Sequence, residues 1–465
     1  MVTKNPLIRI GLWLAEMAER WFPDAFVFAL VGVVVTFLGG LALGEPAAEL
    51  THAAGASFWD LVPFTMQMAM VIIGGFVVAS SPVMLRFIQH LATVPKTSRG
   101  AVAFVAAVSM LTSLLSWGLS LIFTGLLVRE ICRLLPRVDY RAISAAAYLG
   151  LGSVWAFGLS SSAALLQATP SSIPPELMEV TGVIPLTKTI FLWQSILCCV
   201  ILILVSIAIA YWSCPGDDQS KSQSDLGISY KPLEVTLEPR QTPGEWLDYS
   251  RILPLAVVLI SLPYLWSRFG GKSFLDAVAA LDLNTFNLIF ILLGLLLHGC
   301  PRSFGKAVSA SVPATSGVLI QFPFYAMIFG MISKTSIGHF LGALCVKLST
   351  PTTFPLLVAG YSAFLGMLVP SGGGKWIIEA PYVMAAANAH EINLGWTVQI
   401  YNAAEALPNL LNPFWMLPLM GILSIRTREL AGFSILQLLF HTPLVFFLTW
   451  ILTYTLPYAP PQQIP

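Results

Sequence analysis

The stretch LVPSGGGKWIIEAPYV, Leu368–Val383, interrupts an apolar run with a proline, a serine, three glycines and a lysine. The chain on either side is hydrophobic enough for a membrane interior. Glycine is a poor occupant of a helix middle, and a lysine in hydrocarbon is costly. Irregular backbone at membrane depth survives only where protein covers it or where it lines a watery cavity. The stretch therefore reads as the tip of a hairpin that dips into the membrane and offers its backbone to something bound there.

Composition agrees with that setting. Of 465 residues, 56% are hydrophobic and 10% charged, with a mean hydropathy of +0.79. A soluble domain carries roughly 25% charged residues. Many apolar runs approach or exceed the ~20 residues a helix needs to cross a bilayer. The fold class is an all-α polytopic membrane protein. The net charge of +1 carries no nucleic-acid signal, and no nucleic-acid partner is expected. The N-terminal segment lacks the long apolar core of a signal peptide. Ile8, Leu12, Ala15 and Ala18–Glu19 recur at helical spacing, which suits either a surface helix or the frayed start of the first span. The six cysteines form no C-x-x-C pair, so they read as small apolar packing, and no metal site is expected.

Lys and Arg in short loops mark the cytoplasmic side. Lys4, Arg9 and Arg20 place the N-terminus inside, before a span over 24–43. The loop with Glu45, Glu49 and Asp60 lies outside, and a span over 61–80 returns to Arg86, Lys96 and Arg99. The apolar run 101–128 is then followed by Arg129, Arg133, Arg137 and Arg141, so both its flanks are inside. A re-entrant hairpin satisfies this, with Ser116, Trp117 and Gly118 at its tip and legs of about 12–15 residues, too short to cross ~30 Å. The run 142–168 carries FGLSSSA in its centre and reads as a broken span. A span over 190–212 closes this part. Cys214–Arg251 is polar and suits a cytoplasmic linker.

The second part repeats this order upside down. A crossing at 252–267 inverts the chain. Spans at 284–300 and 307–332 and an amphipathic piece at 338–348 lead to the outer hairpin, 353–389. A span at 394–423 is broken at EALPNLLNP, Glu405–Pro413, and a last span at 433–455 ends outside. The organisation is thus a first inverted repeat (1–212), a linker (213–251), an extra crossing with its outer loop (252–283) and a second inverted repeat (284–465). Two hairpins and two broken helices in matching places are the pattern of a secondary transporter.

Four such breaks should converge on one cavity. Helix N-termini exposed there favour an anion, and carbonyl ends can hold Na⁺. Ser116, Ser160, Ser161, Ser162 and Ser371 can donate hydroxyls to a carboxylate, or bond back to their own helices. Gly372, Gly373 and Gly374 permit close backbone approach. Asn409 and Asn412 offer amides beside helix-breaking prolines. Trp117 and Trp376 either wall a pocket or pack the tips. Lys375 has three options: substrate contact, snorkelling to the outer surface, or a pair with Glu379 one turn on. Glu379 and Glu405 are coupling-ion candidates, Glu405 also a partner for Lys375. The predicted core has no arginine clamp, which points to a small monoanion.

Several motifs carry a family resemblance. After RWFPD (20–24) come FTMQMAMVI (64–72), SWG followed by VRE, LIQFPFYA (319–326), VPSGGGKWIIEAP (369–381) and NPFWMLP (412–418). Together they resemble the short-chain fatty acid transporter family. The resemblance implies the ion-transporter superfamily fold, a scaffold with paired hairpins, an elevator-like homodimer and the bacterial cytoplasmic membrane. The chain departs from the family pattern at Ser116, at Ser161–Ala164 and at Asn412. The expectation is secondary active transport of short-chain monocarboxylates of the butyrate or acetoacetate kind, coupled to H⁺ or Na⁺ and needing no other cofactor. A passive anion channel on the same scaffold is the alternative. An intramembrane serine hydrolase is the remote one, as neither G-x-S-x-G nor H-E-x-x-H occurs.

Overall fold

The computed structural model describes residues 20, 25–216, 220–229, 239–368, 371–412 and 414–461. The N-terminal amphipathic segment, Val369, Pro370 and Pro413 fall outside these residues. The described chain is helical, without a β-strand. The first part holds α1 (Ala25–Ala42), α2 (Ala47–Ser57), α3 (Val62–Ala79), α4 (Pro82–Leu91), α5 (Ser98–Leu115), α6 (Trp117–Leu134), α7 (Tyr140–Leu149), α8 (Ser162–Ala168) and α9 (Trp193–Ser213). The second holds α10 (Ile252–Phe269), α11 (Leu283–His298), α12 (Pro301–Ser311), α13 (Ser316–Ser333), α14 (Ser336–Leu348), α15 (Phe354–Leu368), α16 (Gly372–Ala389), α17 (Leu394–Ala406), α18 (Leu417–Leu423) and α19 (Thr427–Thr453). Among the described residues, seven helical segments are long and apolar enough to cross a membrane.

Local sequence sets the boundaries. The Asp139 carboxylate accepts from Arg141 N and Ala142 N and starts α7. Asp282 caps α11 by accepting from Thr285 N at 2.8 Å, and Gly299 ends that helix at φ +70°. Ser116 and Ser371 cap α6 and α16 with their hydroxyls. Each apolar face then packs on its neighbours. α5 lies along α6, α7 and α9, while α3 runs against α6 and α11.

The structure corrects one expectation and adds two findings. The legs of the first hairpin, α5 and α6, have 18 residues each. At 1.5 Å per residue each is about 27 Å long, so shortness is no argument for re-entrance. The cause is that both helices run on through their basic flanks, Ser98–Gly100 and Arg129–Leu134. Second, the two hairpins are not alike. α5 and α6 pack closely, but α15 packs on α17 and α19 and touches α16 only sparsely, while α16 packs on α13 and α14. Third, the start of the linker is docked. Tyr140 N donates to Lys221 O at 2.8 Å, and Lys221 N donates to the Asp139 carboxylate at 3.0 Å.

Candidate functional site

The run Ala142–Ala168 is broken as its glycines and serines predict. α7 passes into a π-turn at Gly150–Val154 and a 3₁₀ turn at Trp155–Phe157, and helix resumes only at Ser162. Serines of the first hairpin satisfy the freed backbone. Ser109 Oγ donates to Ala147 O at 2.6 Å and accepts from Gly150 N at 2.8 Å. Thr124 Oγ1 also donates to Ala147 O. The second broken segment unwinds at Leu407–Leu410. The two breaks lean on each other, with Tyr148 OH donating to Asn409 O at 3.0 Å.

The first hairpin tip meets the first break directly. Trp117 N donates to Ser160 Oγ at 2.9 Å, and Leu159 N donates to Leu114 O at 2.7 Å. The second tip meets the second broken segment through Tyr401 OH, which donates to Gly372 O at 2.6 Å. The four irregular places therefore converge.

A cavity of about 30 Å³ lies at the convergence, room for about two waters. The α6 start contributes Trp117, the α8 start Ser162, the α16 start Ser371, Gly372 and Gly373, and the second break Asn409. Met68, Leu151, Trp155, Val318, Phe322 and Trp415 form its apolar wall. Among the described residues no charged side chain lines it. The Trp117 and Trp415 rings meet edge to face with centroids 5.3 Å apart. Trp155 is buried, and its indole N–H has no acceptor among the described residues.

Of the residues singled out in the sequence, Trp117, Ser162, Ser371, Gly372, Gly373 and Asn409 line this cavity. The others stand behind it. Ser116 caps α6, and Gly118 faces α3 beside Val71 and Ile72. Ser160 holds Trp117, and the buried Ser161 Oγ has no partner among the described residues. Trp376 is fully buried against Tyr401, centroids 4.7 Å apart. Asn412 Nδ2 donates to Met367 O at 3.4 Å. The glycine run has a packing reason besides ligand approach. A Cβ on Gly373 would stand 2.5 Å from the Phe64 ring and 3.0 Å from Ser162 Cβ; one on Gly374 would stand 2.5 Å from the Tyr325 ring.

Lys375 neither snorkels nor lines the cavity. It is fully buried, because α16 starts at Gly372 and turns its fourth residue inward against α17. Its ammonium pairs with Glu405, stands 3.3 Å from Glu379 and donates to Ser362 O at 2.6 Å. It also lies 4.7 Å from the centre of the Tyr401 ring. Ser362 Oγ donates to Glu379 Oε2 at 2.6 Å. Gly366 lets α15 close over this cluster, since a Cβ there would stand 2.7 Å from Glu405 Oε2. Sequence reasoning proposed each pair separately; it missed that one lysine serves both glutamates.

Sequence reasoning also missed Trp155, Met68 and Phe322, since single large apolar residues within spans carry no signal of their own. Trp155 alone had one, its place just before a break.

Residues 6–453 match the family described as Short chain fatty acid transporter. The chain belongs to the short-chain fatty acid transporter family. Two curated relatives are named for short-chain fatty acid transport. That of Escherichia coli K12 is 33% identical over 93% of this chain and 97% of its own length. That of Haemophilus influenzae is 30% identical over 94% and 98%. Among solved structures, the fold resembles the YdaH transporter of Alcanivorax borkumensis, at a TM-score of 0.59 and 14% identity over 94% of this chain and all of that one. It also resembles MtrF of Neisseria gonorrhoeae, at 0.54 and 13% over 98% of this chain and all of that one. The chain is thus a multi-pass membrane protein of a bacterial transporter family.

Proposed function

We propose that this family member is a secondary carrier of short-chain monocarboxylates in the cytoplasmic membrane, coupled to an H⁺ or Na⁺ gradient. The carrying observation is the uncharged cavity onto which α6 and α16 open their N-terminal ends. Backbone N–H groups and helix dipoles at such ends suit one carboxylate. Ser162, Ser371, Asn409 and the indole N–H of Trp155, which has no acceptor among the described residues, supply further polar groups beside them. The aromatic and aliphatic wall suits a short alkyl chain, and the lack of a lining arginine disfavours di- and tricarboxylates.

The two halves read as inverted repeats with both hairpins re-entrant, the N-terminus inside and the C-terminus outside. An elevator motion of the hairpins and broken helices in a homodimer is the transport step this reading adopts. Glu379 and Glu405 are its coupling-ion candidates.

Uptake of labelled C2–C6 acids into proteoliposomes, with Na⁺ and pH gradients imposed separately, tests the reading. Gradient-driven accumulation of C3–C5 acids is expected, and equilibration without accumulation would indicate a passive channel. Gly373→Leu fills the cavity edge and abolishes uptake while the protein stays monodisperse. Normal uptake by that variant sinks the cavity as the site.

A further inference from the structure

The Lys375–Glu379–Glu405 cluster lies one helical turn behind the cavity, and its charges do not balance. Two carboxylates and one ammonium, all fully buried, sum to one negative charge. Among the described residues Lys375 is the one cation facing either carboxylate. A lone buried charge of this kind is neutralised by a bound proton or cation.

The geometry points to a proton. A sodium ion needs several oxygens around it, but the position between the two carboxylates is already filled by the Lys375 ammonium. The face of the Tyr401 ring closes one side. The other titratable groups that face the cluster are Tyr361 on α15, Tyr382 on α16, Cys345 on α14, Tyr401 on α17 and Tyr325 on α13. All are neutral side chains near pH 7, so the exchangeable proton belongs to a glutamate.

The contacts single out which one. Glu405 makes the closer pair with Lys375, so its charge is the better compensated of the two. Glu379 stands farther off, and its Oε2 sits 2.6 Å from the Ser362 hydroxyl. At that distance the two oxygens can exchange roles, the carboxyl donating to Ser362 Oγ when it holds the proton.

We propose that Glu379 carries one exchangeable proton and that this cluster is the coupling site of an H⁺/monocarboxylate symport. The assignment rests on the transport reading above. One proton passes from water on one side to Glu379 and on to water at the other side, together with one carboxylate anion, so the cycle is electroneutral. The link to the cavity is Tyr401. Its hydroxyl holds the Gly372 carbonyl at the cavity edge while its ring faces the Lys375 ammonium. Loss of the proton draws Lys375 toward Glu379 and away from that ring.

Infrared spectroscopy of the purified full chain reads the proton directly. At neutral pH the wild type shows the C=O stretch of a protonated carboxyl. Glu379→Gln and Glu405→Gln each abolish it, because either leaves one carboxylate for one ammonium, and Lys375→Met roughly doubles it. Glu379→Asp shifts the band, whereas Glu405→Asp leaves it in place. A wild type without the band, or a band indifferent to Glu379, overturns the proposal. Should Glu379→Gln fail to fold, Glu405→Gln carries the same charge test.

In proteoliposomes a pH gradient drives wild-type butyrate accumulation, while Glu379→Gln exchanges butyrate across the membrane but does not accumulate it. Accumulation driven by Na⁺ and indifferent to pH overturns the proton assignment. No butyrate movement under any gradient overturns the transport reading instead, and the infrared band still decides the cluster.

Discussion

At the residue scale, Trp155 and Ser371 separate ligand contact from helix stability. Trp155 contributes a buried indole N–H that has no acceptor among the described residues. Trp155→Phe removes that donor, so thermal stability holds while the KM for butyrate rises about tenfold, the equivalent of one hydrogen bond of ~1.4 kcal/mol. Ser371 does local work as well, its hydroxyl accepting from Gly374 N at 3.3 Å. Ser371→Ala loses that cap and costs about 1 kcal/mol, visible as a lower melting temperature in detergent. The sequence made Ser371 conspicuous because it stands beside three glycines, and Lys375 because it is a charge in an apolar run. The partners of Lys375 were only half legible. Glu379 follows at i+4, but Glu405 comes from another helix, and no local pattern shows which helices touch.

At the element scale, α3 and the first hairpin tip depend on a close backbone approach. A Cβ on Gly75 would stand 2.5 Å from Leu119 N and 2.8 Å from Gly118 C. Neither atom is the movable end of a side chain. Gly75→Leu therefore separates α3 from α6, destabilises by roughly 1–3 kcal/mol or more, and lowers the yield of monodisperse protein. Helix positions were readable because apolar runs and their breakers set them: α3, expected at 61–80, occupies Val62–Ala79. The lengths of α5 and α6 were not. Their ends lie among arginines and serines, where hydropathy falls though the helix continues. The unequal packing of the two hairpins was equally hidden, since legs of similar composition can lean on their partner or on a neighbour.

At the scale of the whole molecule, orientation is testable independently of transport. In the proposed orientation, with the N-terminus inside, the linker would also face inside. A cysteine introduced as Ser224→Cys should react with a membrane-impermeant maleimide in inside-out vesicles and stay unmodified in right-side-out ones. The native thiols are a small background, as Cys132, Cys198, Cys199, Cys214 and Cys300 are buried and Cys345 is half-buried. The loop between α1 and α2 carries a polar clasp of its own. Glu45, between α1 and α2, accepts from Ser336 N at 2.7 Å, and hydrogen bonds from the Ser336 side chain and from this N–H hold its carboxyl below the usual carboxylate range. Its contribution is present above the ordinary glutamate pKa and fades as pH falls through the lowered one. Glu45→Gln should flatten that acid limb of the melting curve.

The sparse packing of α15 on α16 bears on speed. These two helices come close at few backbone positions, and a short row of polar catches joins them: the Tyr361–Tyr382 hydroxyl pair at 2.9 Å, Ser362 on Glu379, and Lys375 on the Ser362 carbonyl. Catches of this kind release one by one in an apolar slab where water cannot replace them. Any sliding of one leg past the other thus meets a barrier of bond-breaking heat more than of lost oily contact, so turnover should climb steeply on warming.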